Sequence, residues 1–525
     1  MTDASFDPPS WVRDAVFYQI FPDRFARSPR LPRPGPFQPW DAPPTFDGFK
    51  GGDLLGIVER LDELVDLGIT ALYLNPVFTS ASNHRYHTDD YQAVDPLLGG
   101  NAALRELVDA CHARDMRVIL DGVFNHCGRG FWPFHHVVEV GAGSPYRHWF
   151  HLDQAGLDAG RKLRPYPTDA EMAAMQAAAI HEGLHSGQAS QRYLGYRAWW
   201  DLPALPKLNT EEPQMRGYLM DVAEDWIRFG ADGWRLDVAE EIDANYWREF
   251  RQRVRGADPE AYIVAEIWHV APDWLTGDTF DALMHYPLAE AIIGFAAGPH
   301  LDMDVVGAHD QFSRLLRPLD GPGFTAELDR LMSVYRPATR DAMLNLLGSH
   351  DTPRVRTVCG GDIASVRLAT LIQMTLPGAP CVYYGDELGM EGKGDPDCRR
   401  AYPVDISQGD LELRAFMQAV IALRRRVAAL RGGEVRSLGA SGSAMAYLRS
   451  DDSEAIVITV NAGATGVGLP LAVPEGLGEP VIEALPGQQG HRLGPSARWL
   501  DDGRLQVEVA ARDATVVRLG RAANH

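Results

Sequence analysis

The sequence predicts an α/β chain built on a (β/α)8 TIM barrel, with an inserted subdomain after the third strand and a C-terminal antiparallel β-sandwich. Three observations predict it. From Ala15 to about Leu430, short β-branched or aromatic runs alternate with helix-period segments, the pattern of a parallel sheet with crossover helices. About 90 residues separate the third run from a helix opening at Pro213, far more than an ordinary βα loop. After Leu430 the pattern switches to period-two strands divided by Gly and Asp turns, which reads as a sandwich.

The runs that predict barrel strands are Val16 to Phe21, Ala71 to Leu74, Arg117 to Asp121, Gly233 to Val238, Tyr262 to Glu266, Ala282 to His285, Ala342 to Leu347 and Pro380 to Tyr384. Asp53 is placed to cap a helix with the apolar face Leu54, Ile57, Val58, Leu61 and Leu64, and Gly68 to close it. Asn101 and Gly230 punctuate two more helices, and Pro213 stands where a first-turn proline is tolerated. Past Leu430, Ala444 to Leu448, Ala455 to Val460, Leu505 to Val509 and Thr515 to Leu519 alternate as half-buried strands. The barrel is expected over 1–126 and 205–431, the inserted subdomain over 127–204 and the sandwich over 432–525.

Acidic residues exceed basic ones by 71 − 50 = 21, a balance that repels nucleic-acid phosphates and anionic membranes and leaves neutral substrates open. The five cysteines are widely spaced without a C-x-x-C, so neither a zinc site nor a disulfide framework is expected. The N-terminal MTDASFDPPS has no basic n-region or apolar h-region, and no run approaches 18 uninterrupted apolar residues. The expected location is the cytoplasm.

In a barrel, reactive side chains sit at the C-terminal ends of strands. Asp121, Asn125, His126, Arg235, Asp237, Glu266, His350 and Asp351 all fall at or just past such ends. A single acid there is usually a cap, but four acids with an Arg and two His on four strands are not explained that way. Alternation in GWRLDVA puts Arg235 and Asp237 on one face, toward the barrel axis, with Trp234, Leu236 and Val238 toward the helices. The guanidinium is expected to lower the Asp237 pKa; the bland reading is a structural Arg–Asp pair. Glu266 ends the next strand, so two carboxyls are expected to flank one bond, as glycosidic hydrolysis requires. A metal-binding acid cluster is the rival, weakened by the competing charge of Arg235.

DGVFNH (121–126), GWRLDVA (233–239), AEIWH (265–269) and GSHDTPR (348–354) resemble, in order, the four sequence regions of the α-amylase family of glycoside hydrolases. The resemblance runs from VFYQIFPDRFA through NPVFTSASNHRYHTDDY to PCVYYGDELGMEGKGDPDCRR. The linker LPKLN (205–209) is similar to the MPKLN of the neopullulanase, cyclomaltodextrinase and maltogenic amylase subgroup. The resemblance implies a retaining hydrolase of α-1,4 and α-1,6 glucosidic bonds in maltooligosaccharides, cyclodextrins or pullulan, with some transfer. It implies Asp237 as nucleophile, Glu266 as general acid/base and Asp351 as the carboxylate that stabilises the transition state. It also implies His126 and His350 on hydroxyls of the sugar at the cleavage site, Arg235 beneath the nucleophile and Tyr86 stacked on that sugar. Asp395 and Arg399 would grip the next sugar toward the non-reducing end, and Glu211 would border the acceptor.

Members of this subgroup usually carry an N-terminal β-domain that dimerises over the partner's cleft, whereas this barrel begins almost at once, so an open cleft is expected and the oligomeric state stays open. Its walls are expected to come from Trp132, Trp149, Trp199 and Trp200 of the insertion and from Asp395 and Arg399. The loop ARSPRLPRPGP has none of the Asn and Asp ligands that bind calcium in some relatives; no cofactor and no metal are expected. The alternatives are a glucosyl transferase or isomerase resembling trehalose synthase, and a non-catalytic carbohydrate-binding relative.

Overall fold

The computed structural model describes residues 7–185, 187–486 and 496–521. Parts of the expected sandwich (487–495 and 522–525) and the first six residues of the N-terminal segment lie outside the described residues. The eight expected barrel strands all form: β1 (Phe17–Ile20), β2 (Ala71–Leu74), β3 (Arg117–Gly122), β4 (Gly233–Leu236), β5 (Tyr262–Ala265), β6 (Ala282–Leu283), β7 (Leu344–Leu346) and β8 (Ala379–Tyr383). They make one parallel sheet in the order β6-β5-β4-β3-β2-β1-β8-β7, and a parallel bridge between Met284 and Leu344 carries the ring from β6 to β7. The strands are short because most are apolar runs that give way to polar residues or a turn at the top face. β1, β2, β4, β5 and β8 are buried along their whole length, as parallel strands covered on both faces must be.

Glycine sets one contact that matters for the site. A Cβ on Gly233 would meet the Tyr262 carbonyl oxygen at 2.2 Å, so only glycine lets β4 open this close against β5. These are the strands that end at Asp237 and Glu266.

Asp53 caps its helix through the Gly56 N–H at 2.7 Å, and Gly68 closes the pattern at φ 99°. The expected single helix is two, Leu54–Glu59 and Leu61–Leu67, broken at Arg60, whose backbone leaves helical geometry at φ −112° and ψ 7°. Sequence reading also missed the hairpin Phe78–Ser80 with Thr88–Val94, which carries the Tyr86 loop. The insertion after β3 is mainly helical, with helices at Trp132–Val140, Gln154–Asp158, Asp169–Glu182 and Gln188–Leu194.

The C-terminal region forms a five-stranded and a three-stranded antiparallel sheet. Leu448, Val457, Leu471, Leu505, Val507 and Leu519 fill the core they share. Arg449, fully buried, joins this region to the barrel through carbonyl oxygens: it donates to Thr375 and Leu430 on the barrel side and to Gly433. Among the described residues no helix is long and apolar enough to cross a membrane.

Candidate active site

At the C-terminal mouth of the barrel lies a cleft of about 700 Å³ lined by Tyr86, His126, Asp237, Glu266, His350, Asp351, Asp395 and Arg399, with Trp199 and Trp200 of the insertion and Trp268, His309 and Gln311 opposite. Nine of the ten expected site residues meet here, counting Arg235, which is buried beneath. Glu211 does not. It is exposed, outside the cleft, in the turn where its N–H donates to Asn209 Oδ1 just before the helix at Pro213. The LPKLN linker reaches the cleft through Leu205, which lines it, and Lys207 Nζ lies 2.7 Å from Oε2 of Glu241, another lining residue.

Arg235 organises the floor. Its Nη1 donates to Asp121 Oδ1 at 2.8 Å and to Asp237 Oδ1 at 3.0 Å, while Nη2 stands 3.0 Å from Glu266 Oε1. One buried positive charge therefore serves three buried carboxyls. Burial drives the Asp237 carboxyl well above its ordinary range, the charge of Glu266 adds to this, and Arg235 opposes both. The expected lowering by Arg235 is thus reversed, because the guanidinium is shared and desolvation outweighs its share.

The strand alternation also stops one residue earlier than expected. Val238, expected to face the helices, instead lines the cleft, because its backbone turns to φ 39° and ψ 49° as a 3₁₀ turn begins. That turn aims the Val238 N–H at Glu266 Oε2, 2.9 Å away. Trp268 Nε1 donates to the other oxygen at 3.1 Å, and its ring is held flat on Tyr286 at 3.6 Å and 8°. Glu266 is thereby fixed by two donors on two elements.

The opposite wall is a buried polar network. The Tyr86 hydroxyl donates to Asp121 Oδ2 at 2.7 Å and lies 2.7 Å from His350 Nε2, which ties the phenol end down and leaves the ring in the cleft wall. His350 Nδ1 lies 2.9 Å from Gln19 Nε2 and 3.1 Å from Asn75 Nδ2. Two N–H donors converge on Nδ1, so the ring proton sits on Nε2, toward Tyr86 and Asp351 Oδ2, 3.2 Å away. Burial pushes His350 well below its ordinary value and His126 down to about 3, so both are neutral donors or acceptors at working pH. Asp351 is also paired with Arg399 at 3.2 Å, and Arg399 with Asp395 at 2.9 Å.

Sequence reasoning missed Gln19, Asn75 and the donor role of Trp268. The available signal was Gln19 itself, a polar residue inside the apolar run FYQI. Of the four insertion tryptophans, Trp199 and Trp200 reach the cleft; Trp149 packs on Tyr146 and Tyr218, and Trp132 is exposed beside His135 and His136.

No group of three or more His, Cys, Asp or Glu among the described residues is arranged to hold a metal ion. Near the loop after β1, Lys50 Nζ donates to the carbonyl oxygens of Pro39 and Ala42, and Arg27 to that of Lys50. Side-chain cations thus take carbonyl oxygens of the kind a calcium ion would need.

A parallel barrel whose mouth gathers three carboxyls over one guanidinium, with aromatic walls and neutral histidines, has the equipment of a glycoside hydrolase. The chain belongs to the α-amylase family: the family profile described as "Alpha amylase, catalytic domain" matches residues 19–422. It is 41% identical over 491 residues to a cyclomaltodextrinase of Geobacillus thermopakistaniensis (strain MAS1), covering 92% of this chain and 74% of that protein. Its structure is similar to that of Ttha1563 from Thermus thermophilus, with a TM-score of 0.83, 43% identity, and coverage of 97% and 99% of the two chains. It is also similar to the native Nostoc punctiforme debranching enzyme, with a TM-score of 0.81, 40% identity, and coverage of 98% and 99%.

Proposed function

We propose that the protein is a retaining α-glucan hydrolase that cleaves α-1,4 bonds in maltooligosaccharides, cyclodextrins and pullulan, acts on α-1,6 bonds, and passes part of its glycosyl groups to sugar acceptors. The observation that carries this reading is the convergence of Asp237 and Glu266 on the two Nη atoms of Arg235, each at 3.0 Å, in the wall of a cleft. Asp237 attacks the anomeric carbon while Glu266 gives its proton to the leaving oxygen, and a glycosyl ester on Asp237 results. Glu266, now ionised, takes a proton from water, whose oxygen attacks the same carbon and releases Asp237. Asp351, His350 and His126 hold hydroxyls of the reacting sugar, Tyr86 backs its ring, and Asp395 and Arg399 hold the next one. The names of the cyclomaltodextrinase and the debranching enzyme support α-glucan chains and branch points as substrates.

In this reading 1–126 and 205–431 form the catalytic barrel, 127–204 a wall of the cleft and 432–525 a supporting sandwich. The five free, buried cysteines fit a reducing compartment, and we place the activity in the cytoplasm. The test is to trap the ester with a fluorinated α-glucosyl fluoride and to follow maltotriose cleavage by proton NMR. We expect an adduct on Asp237 and the α-anomer as first product; a β-anomer, or an adduct on any other residue, overturns the reading.

A further inference from the structure

Trp200 is held in a conformation that packing alone does not call for. It lies in the 3₁₀ turn Trp199–Asp201 with φ 52° and ψ 27°, and Asp201 follows at φ 55°. Left-handed backbone is uncommon for any residue with a Cβ, and more so for a bulky one. Two in succession need an outside restraint, and the surroundings supply it. The Ser190 N–H donates to Asp201 Oδ1 at 2.7 Å, Trp199 N–H donates to the Leu205 carbonyl at 2.9 Å, and the Tyr196 hydroxyl donates to the Pro203 carbonyl at 2.7 Å.

The result is a two-thirds exposed indole, 66% by area. It stacks on Trp199 at 5.2 Å and 23°, and Trp199 stacks on His126 at 5.1 Å and 14°. The three rings step from the cleft floor to its mouth, and among the described residues Trp200 has no other ring contact. A single exposed tryptophan is ordinary. One that is strained, pinned and stacked on a tryptophan that itself stacks on a site histidine is not, and strain of this kind is kept where a ligand uses it.

The side of the cleft follows from its neighbours. Leu205, bonded to Trp199, opens the segment whose Lys207 is paired with Glu241. Glu241 ends the turn begun at Val238, whose N–H holds Glu266. Trp200 therefore stands on the side of the proton donor and the leaving group, and Asp395 and Arg399 stand on the Asp351 side.

We propose that Trp200 is a stacking platform for the pyranose face of an outer glucosyl unit on the leaving-group side, and that it sets a preference for longer α-glucan chains. The proposal rests on the α-glucan hydrolase reading above. A sugar there lies over the free indole face, two ring steps out from His126, so short chains cleaved at the floor do not reach it.

The test compares kcat/KM for maltohexaose and maltotriose in the wild type, Trp200→Ala, Trp200→Phe and Trp200→Gly, with melting temperatures for all four. Trp200→Ala should lose roughly tenfold on maltohexaose, the scale of one aromatic stacking contact, and clearly less on maltotriose. Trp200→Phe should keep most of the long-chain rate. Trp200→Gly, free of the backbone strain, should melt no lower than wild type and show the same selective loss. Equal losses on both substrates, no loss on maltohexaose, or a lowered melting temperature for Trp200→Gly would overturn the proposal. Absence of turnover on either substrate by the wild type would instead overturn the hydrolase reading.

Discussion

Glu290 offers a pH-dependent test of how the cleft wall is built. It lies on the helix Tyr286–Ala297, only 7% exposed. Gln311 Nε2 is 3.4 Å from Glu290 Oε1 and 3.4 Å from the Trp268 carbonyl oxygen, so the buried carboxyl backs a residue that lines the cleft. Burial pushes its pKa from 4.5 up to about 7; the Gln311 hydrogen bond opposes this and the charge of Glu327 adds to it. Between these two values the folded chain holds a proton that the unfolded chain has released. The stabilising effect of that proton is complete below about 4.5 and is lost as pH rises through 7. A gap of about 2.5 on the pH scale, at about 1.36 kcal/mol for each step of one, corresponds to roughly 3 kcal/mol. Glu290→Gln copies the protonated form, so it should change stability little at pH 5 and raise it at pH 8 by up to that amount. Melting curves of both proteins at the two pH values measure the difference. If the variant and wild type differ equally at pH 5 and pH 8, Glu290 is not a desolvated carboxyl and the account of this wall fails.

Asp351→Asn keeps the side chain's shape but removes the charge that the oxocarbenium-like transition state needs; kcat and kcat/KM should fall together by several orders of magnitude with KM nearly unchanged. A normal kcat with a raised KM would make Asp351 a ground-state binder. Gln19→Glu replaces a donor to His350 Nδ1 by an acceptor and moves the ring proton to Nδ1; kcat/KM should drop roughly tenfold to a hundredfold. Gln19→Leu, which leaves the Asn75 donor in place, should cost clearly less, and equal losses would refute the tautomer assignment. Removal of metal by a chelator should leave both the melting temperature and the rate unchanged, since Lys50 and Arg27 serve the loop after β1; a fall in either would show a metal site.

The barrel was legible because each strand is an apolar run closed by polar residues or a turn, and the ends read from sequence differ from the observed ones by no more than two residues. The hairpin strand TDDYQAV was not, because its buried residues Thr88, Tyr91 and Val94 recur every third position across register shifts, and its partner is only three residues long. The break at Arg60 was hidden by an apolar face that continues across it. In the site, the motif residues meet because strand order places the ends of β3, β4 and β5 side by side. Gln19 acts through His350, 331 residues away, and no local pattern announces such a partner. Glu211 fails for the opposite reason: its motif neighbour Asn209 turns the chain, and the side chain is left in solvent.

What the sequence does not carry is how charges are shared. Arg235 beside Asp237 reads as a pair, and a pair lowers a carboxyl's pKa. In the fold the same guanidinium also meets Asp121 and Glu266, so its charge is divided three ways while all three carboxyls lose water. The direction of the Asp237 shift reverses for that reason. Attack requires the ionised form of Asp237, which burial and the neighbouring carboxyl oppose, and the positive charge that develops on the reacting sugar beside it favours that form. Crowding three carboxyls around one cation therefore ties the ionised nucleophile to the arrival of positive charge on the sugar.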